Sequence, residues 1–257
     1  MPDVQSTVEN VVRAAEAGGA VAQYDLAVLY DQGLGVDASP EKACEWYTRS
    51  AASEADAPDR VWARAGDCYM RGVAVARNEG EATRLYRIGA ARGSAAARYQ
   101  LALNLQEGLG VAVDAVEAFR VFNEAAAQDH AGATLQVAFC YAQGRGVARD
   151  AAAATDYYER YLAHPRRHPE HVNIARYNLG LAYVKGTDGF RLDVARGTTL
   201  LHEAADAGYA LAKAAVQKLE ASERLAAAAR GAGSSGGSSG SGSSSGSGGG
   251  RRKKKRT

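Results

Sequence analysis

One motif occurs five times along this chain: a helix-forming segment, a glycine-containing turn, and a second helix-forming segment. The first glycine of each copy recurs after 39, 36, 36 and 42 residues, at Gly33, Gly72, Gly108, Gly144 and Gly186. A period of this size indicates a stacked repeat protein, in which each unit contacts only its neighbours. The pattern favours a surface that binds partners over a pocket that performs chemistry.

The residues before each glycine predict the first helix of the repeat. The sixth residue before the glycine is always small: Ala27, Gly66, Ala102, Ala138 and Gly180. The seventh is always apolar, and small or apolar residues continue at helical spacing, which predicts one buried helix face. The small position lets a second helix approach closely. The glycine then ends the helix, because it tolerates the left-handed backbone of a helix C-terminus.

The residues after each glycine predict the second helix. A strong N-cap residue follows the glycine by six residues, or seven in the fifth copy: Ser39, Asn78, Asp114, Asp150 and Asp193. Such side chains accept hydrogen bonds from the free N–H groups of a helix start. Glu81 and Glu117 have the spacing of a capping box. We expect the extra residues of the longer copies in loops around 57–59 and 164–171.

The combined pattern resembles the Sel1-like repeat, a relative of the tetratricopeptide repeat. It reads Y-x-L-A/G-x-x-Y-x-x-G-x-G-V, then D/S-x-x-x-A-x-x-W/Y-Y and a terminal A-A-x-x-G, and covers about residues 13–215. The fifth copy departs most, with Thr187-Asp188-Gly189 in the turn and Arg196 at the usual alanine. The resemblance implies an all-α, right-handed solenoid of about five helix-turn-helix repeats with N- and C-terminal capping helices. It also implies a protein–protein interaction scaffold or adaptor.

Composition divides the chain into three segments. We assign residues 1–230 to the solenoid, 231–250 to a disordered Gly/Ser linker and 251–257 to a polybasic tail. The whole chain has 31 basic and 29 acidic residues, a net charge of +2. Without the six basic tail residues, 25 basic and 29 acidic residues leave a net charge of −4. The solenoid is therefore mildly acidic, and the positive charge is concentrated on the tail.

Three interpretations of the tail stay open: a nuclear-import signal, a segment that contacts nucleic-acid phosphates, and an inert or engineered linker. An import receptor and nucleic acid are therefore candidate partners beside the proteins bound by the solenoid. We expect a cytoplasmic protein, with nuclear entry as an option, because no secretory signal or membrane span is apparent. The basic residues concerned are Arg251, Arg252, Lys253, Lys254, Lys255 and Arg256.

Signals for chemistry are weak, so we expect neither enzymatic activity nor a catalytic, cofactor or metal site. The glycine pairs lack the strand, lysine and Ser/Thr of a phosphate loop. His164, His168 and His171 share a segment with two prolines and two arginines, which favours an exposed loop over a metal site. The odd number of cysteines, Cys44, Cys68 and Cys140, predicts three buried free thiols in a reducing compartment.

The candidate site is assigned by analogy. In tetratricopeptide-like stacks the first helices line the concave surface, which would hold a partner peptide or helix. Candidates lie nine, five and one residues before the first glycine. The tyrosines among them either meet a partner or pack between neighbouring units, and the sequence leaves both open. The candidate residues are Tyr24, Tyr99, Tyr177, Asp67, Phe139, Arg71, Glu107 and Lys185.

Overall fold

The computed structural model describes residues 4–187 and 189–234, and within these ranges it contains twelve α-helices and no strand. The helices are α1 (Val4–Glu16), α2 (Ala20–Gln32), α3 (Pro40–Ala52), α4 (Val61–Arg71), α5 (Glu79–Ala91), α6 (Ala95–Glu107), α7 (Ala115–Ala127), α8 (Ala131–Gln143), α9 (Ala151–Ala163), α10 (Pro169–Lys185), α11 (Val194–Asp206) and α12 (Ala210–Ser234). The predicted all-α repeat fold is confirmed.

The helices pair as the repeat predicts. Each repeat is a hairpin of two packed helices, α2–α3, α4–α5, α6–α7, α8–α9 and α10–α11, and each first helix also packs against the second helix of the preceding repeat. Helix α1 precedes the first hairpin and contacts α2. The chain forms two compact units. The first extends to Lys213, and the described part of the second is the remainder of α12.

Where the small residue of the first helix is glycine, its neighbour within the hairpin leaves no space for a larger one. A Cβ added to Gly66 would overlap the ring of Tyr86, and one added to Gly180 would lie 3.0 Å from the carbonyl oxygen of Gly197. The sixth and seventh residues before the turn glycine are buried in all five repeats. The core follows the stack as three successive clusters, centred on α2–α5, α5–α8 and α8–α10.

In the turns of the third and fourth repeats, the two glycines have different roles. The first ends the helix in the left-handed region, with φ between 55° and 77° across the repeats. The second brings the turn against the preceding repeat. A Cβ on Gly110 would overlap the backbone of Glu79, and one on Gly146 would overlap the backbone of Ala115. The turn therefore joins neighbouring repeats as well as the two helices of one repeat.

All five predicted N-caps are present. The side chains of Ser39, Asn78, Asp114, Asp150 and Asp193 each accept a hydrogen bond from the backbone N–H three residues later. The two glutamates at capping-box spacing act differently. Glu81 accepts from Arg84, and Glu117 accepts from Arg120, so both carboxylates bind cations on the helix surface.

The extra residues are only partly in loops. Residues 53–60 form the long connection between α3 and α4, as expected. In the fifth repeat, α10 has 17 residues where α8 has 13, so part of the predicted 164–171 loop is an additional helical turn. Pro169 stands in its first turn, where the missing proline N–H costs nothing. None of the described helices is long and apolar enough to cross a bilayer.

The cysteine prediction is wrong for two of the three residues. Cys44 of α3 and Cys68 of α4 form a disulfide, with their Cα atoms 5.7 Å apart. The two belong to different repeats, but α3 and α4 pack directly against each other. Cys140 is free and buried, and burial raises the pKa of its thiol to about 11. The cysteines therefore give no support to a reducing compartment.

Candidate functional site: the first-helix face

The first helices share one solvent-facing stripe, which we call the first-helix face. It consists of the residues eight, five and one before the first turn glycine. None of these fifteen side chains is buried, whereas the residues six and seven before the glycine are buried throughout. Positions separated by three and four residues lie on one side of a helix, so the stripe follows from helix geometry.

The tyrosines nine before the glycine lie at the edge of this face and pack within the stack. The ring centroid of Tyr24 is 5.7 Å from that of Tyr47, and Tyr177 is 5.6 Å from Tyr209. Tyr99 packs against Phe122 and against the His130 ring, 4.7 Å away. All three tyrosines are half-buried. These ring partners belong to the tyrosine's own repeat, so the contacts pack the helices of one hairpin together.

The sequence reasoning missed the column eight before the glycine. These five side chains are polar or charged in every repeat, and none is buried. Residue spacing alone could have identified this column. Positions eight, five and one before the glycine are three and four residues apart and share one side of the helix, whereas position nine is rotated by about 100° from position eight. The column comprises Asp25, Arg64, Gln100, Gln136 and Asn178.

The first-helix face opens into a groove between α4 and α6, which we call the central groove. Its volume is about 410 Å³. Two of the sequence-predicted residues, Asp67 and Arg71, line it. The full lining is Arg64, Asp67, Met70 and Arg71 of α4, Tyr86 of α5, Gln100, Leu103 and Asn104 of α6, and Leu109.

A hydrogen-bond network fixes the floor of the central groove. Oδ1 of Asp67 accepts from the Tyr86 hydroxyl at 2.7 Å and from Nε2 of Gln100 at 3.0 Å. Asn104 donates to the Thr83 hydroxyl, which donates to the Leu109 carbonyl. These bonds join the second repeat to the third, so the groove is held in shape by the stack itself.

The electrostatics of the groove depend on one carboxylate and two arginines. Burial raises the pKa of Asp67, while the hydrogen bond from Tyr86 and the charges of Arg64 and Arg71 oppose that rise. Arg64 lies 4.0 Å from Asp31, and its side chain is 54% exposed. Arg71 is exposed, and its Nε donates to the Asp67 carbonyl. Both guanidinium groups are thus accessible at the rim.

A second groove lies between α1 and α2 and is mainly apolar. Its volume is about 520 Å³. Leu34, at its edge, is 52% exposed. Asp25 and Val28 of the first-helix face contribute to it. The full lining is Thr7, Val8, Val11, Asp25, Val28, Leu29, Leu34 and Gly35.

Three other predicted residues, Phe139, Glu107 and Lys185, line neither of these two grooves. Phe139 lies on the face and makes an edge contact with Tyr158, with ring centroids 5.7 Å apart. Glu107 and Lys185 are exposed at the ends of α6 and α10. The polybasic residues 251–256 and most of the predicted linker lie outside the described residues.

The histidine segment is more ordered than the sequence suggested. His164 is buried, and its Nε2 lies 3.0 Å from Oδ1 of Asp129. Arg166 binds the other oxygen of the same carboxylate at 2.8 Å and holds the pKa of Asp129 below its usual range. In the described part of the chain, no group of three His, Cys, Asp or Glu side chains is placed to hold a metal ion.

Comparison with solved structures gives Sel1-repeat folds. A protective antigen of uropathogenic Escherichia coli strains, which displays an SLR fold, superposes with a TM-score of 0.70 at 25% identity, covering 82% of this chain and 43% of the antigen chain. A Sel1 repeat protein from Oxalobacter formigenes superposes with a TM-score of 0.62 at 24% identity, covering 80% of this chain and 86% of the other.

One curated relative also matches. The DAP3-binding cell death enhancer 1 of Rattus norvegicus is 35% identical over 100 residues, which is 39% of this chain. The chain spans about a fifth of that relative's length, 19%.

The repeat boundaries agree with a family model. The Sel1 repeat matches residues 20–54, 63–94, 95–130, 131–160 and 173–209, and these ranges follow the five helical hairpins. Helices α1 and α12 lie outside the matched ranges, as expected for terminal helices. Sel1 repeat proteins generally act as non-catalytic scaffolds for protein–protein interaction. The chain belongs to the Sel1 repeat family.

Proposed function

We propose that this protein is a scaffold that binds a peptide or helix of another protein along its first-helix face. The observation that carries the proposal is the accessibility of that face, where apolar and charged side chains line two grooves instead of packing into the stack. A partner that covers this face buries the exposed apolar area and pairs the exposed charges, the two main sources of interface affinity.

The identity of the lining residues supports binding over catalysis. Tyrosine and arginine are enriched among the residues that dominate binding energy at interfaces. The central groove contains both types, with Met70 and Leu103 as an apolar floor between them. Its one half-buried carboxylate, Asp67, already accepts two hydrogen bonds and serves to position its neighbours.

A matched pair of variants tests the proposal. Leu103→Glu places a charge in the central groove, and Val116→Glu places the same charge on α7 at a side chain that is 67% exposed. Peptides selected from a display library on the full chain should lose binding to the Leu103 variant and keep binding to the Val116 variant. Equal binding to both folded variants, checked by thermal melting, would reject the first-helix face as the binding surface.

A second proposal concerns the polybasic tail, which we infer to be an import signal. Its support is the sequence alone: six consecutive basic residues, 251–256, follow a Gly/Ser segment. Changing Lys253, Lys254 and Lys255 to alanine should move a fluorescent fusion from nucleus to cytoplasm and leave the melting temperature unchanged. An unchanged distribution, combined with salt-sensitive RNA binding that requires the tail, would favour contact with phosphates instead.

A further inference from the structure

The central groove has positive charges at its rim and a carboxylate between them. Arg64 and Arg71 are seven residues apart on α4, which is two helical turns or about 10 Å along the axis. Their exposed guanidinium groups mark the two ends of the α4 side of the groove. In the described residues Arg71 forms no direct ion pair with a carboxylate and Arg64 pairs with Asp31 at 4.0 Å, while the charges of both arginines also act on Asp67.

The two arginines favour acidic ligand groups at the ends of the groove, whereas the middle of the groove disfavours them. Asp67 lies between the two arginines in the sequence of α4, and its Oδ1 is held by Tyr86 and Gln100. A second carboxylate placed beside Asp67 would meet a like charge that is already desolvated. Met70, Leu103 and Leu109 offer apolar surface at the same site. An apolar side chain therefore suits the middle better than an acidic one.

These two requirements define a ligand. We propose that the central groove binds an extended peptide with two acidic side chains three residues apart and an apolar side chain between them. An extended chain advances about 3.3 Å per residue, so three residues span the roughly 10 Å of helix axis that separates the positions of Arg64 and Arg71. The inference rests on the proposed function and names the chemistry of its partner.

The arrangement also gives a reason for arginine at these positions. A guanidinium binds a carboxylate through two parallel hydrogen bonds, which fixes orientation as well as charge. One such pair at the rim of a groove is partly solvated and contributes modestly, so two pairs with a buried apolar contact are needed for specific recognition. The hydrogen bonds from Tyr86 and Gln100 hold Oδ1 of Asp67 in place between the two arginines.

The test uses the full chain and a designed probe. The probe is a fluorescein-labelled peptide with the sequence Ala-Glu-Ala-Leu-Glu-Ala, capped at both ends, and its control has both glutamates replaced by glutamine. Fluorescence anisotropy should show binding of the glutamate peptide with a dissociation constant below about 1 mM. The glutamine peptide should bind roughly tenfold more weakly. Affinity for the glutamate peptide should fall as salt is added.

Protein variants locate the interaction. Arg71→Glu should weaken binding of the glutamate peptide by roughly tenfold or more, whereas Arg145→Glu, the same charge change at an exposed turn outside the groove, should change it less than twofold. Arg71→Lys should retain part of the affinity, because it keeps the charge but loses the bidentate geometry. Unchanged circular dichroism and melting temperature would show that each variant is folded.

The outcomes separate this inference from the proposed function. If both peptides bind equally and Leu103→Glu abolishes binding, the face binds peptides but the acidic preference is wrong. If neither Leu103→Glu nor Arg71→Glu affects binding, both proposals are wrong. Failure of the glutamate peptide to bind at about 1 mM, or equal effects of Arg71→Glu and Arg145→Glu, would overturn the acidic preference alone.

Discussion

The third and fourth repeats are joined differently from the fourth and fifth. At the first junction Gly146 lies directly against the backbone of Ala115 at the start of α7, with no space for a Cβ. At the second, a Cβ added to the corresponding Gly189 would lie 3.5 Å from the Cβ of Ala151, an ordinary van der Waals contact. Instead, Glu159 of α9 accepts hydrogen bonds from the Tyr183 hydroxyl of α10 and from Arg196 of α11.

The difference shows two ways of stacking the same hairpin. A close backbone contact fixes the distance between two repeats with no side chain, and only glycine permits it. Where the turn sequence changes, polar and charged side chains join the repeats instead.

Asp129, between α7 and α8, departs from the other helix ends in another way. Its φ is +61°, at the position where three other helix ends have glycine with φ of 91–94°. Aspartate adopts a positive φ less easily than glycine, and the Asp129 carboxylate binds His164 and Arg166 of the connection between α9 and α10.

The largest expected effect comes from adding one methyl group at each turn. Gly146→Ala should lower the free energy of unfolding by about 3–4 kcal/mol, because it adds both a left-handed alanine and an overlap with backbone. Gly189→Ala should cost only about 1 kcal/mol, for the backbone conformation alone. Urea titrations of the two variants measure the difference. Equal losses would contradict the assignment of one tight and one loose junction.

The N-caps of α9 and α11 should contribute equally to the free energy of unfolding. Asp150 caps α9 and Asp193 caps α11, each accepting from the N–H three residues later. Replacing either residue by alanine should cost about 1 kcal/mol. Thermal or urea unfolding of Asp150→Ala and Asp193→Ala would measure both. A negligible loss at Asp193 would mean that the altered fifth turn also weakens the helix that follows it.

The stability contributed by the N-cap of α8 should depend on pH. Nδ1 of His130 accepts from the Ala133 N–H, a bond that requires this nitrogen to be unprotonated. Burial, with a smaller contribution from Arg166, lowers the pKa of His130. Since the unfolded state then binds more protons, the stability is present above the unfolded pKa of about 6.5 and is lost as pH falls below it.

A variant isolates this contribution from the other histidines. His130→Asn keeps a capping acceptor without a titrating ring. The urea midpoint of the wild type should fall more than that of the variant between about pH 7.5 and pH 5.5. Parallel curves for the two proteins would reject the histidine as the source of the pH dependence.

The smallest expected effect is local. Asp129→Asn removes the charge that pairs with His164 and Arg166, and asparagine tolerates positive φ. We expect faster amide hydrogen exchange in residues 164–168, and a melting temperature that changes by no more than about 2 °C. Unaltered exchange in this segment would show that the connection is held by other contacts.

Local patterns made the repeat predictable. Turn glycines, small helix positions and N-caps act within a few residues, so the sequence alone identified all five hairpins and all five caps. The disulfide was missed because Cys44 and Cys68 become neighbours only when α3 packs on α4. The role of Gly110 was missed for the same reason, since its contact lies in the preceding repeat.

The candidate site was only partly predictable. The sequence placed Asp67 and Arg71 correctly on the first helix, and both line the central groove. It omitted Arg64 and Gln100, because choosing columns by residue type drew attention to the tyrosines. How far Tyr99 is exposed depends on Phe122 of its own hairpin and on His130, just before α8. These neighbours are more than twenty residues from Tyr99 in the sequence, so local spacing does not identify them.

The disulfide gives the first two repeats a mechanical property. Cys44 and Cys68 are 24 residues apart in the chain. When the chain is stretched from its two ends, force passes through the sulfur atoms and bypasses the residues between them. At about 3.4 Å per residue, the fully extended chain is shorter by roughly 75 Å until the bond is reduced. Most of α4 and the end of α3 are therefore shielded from tension, and a reducing agent would release a stretch of hidden length in a single-molecule pulling experiment.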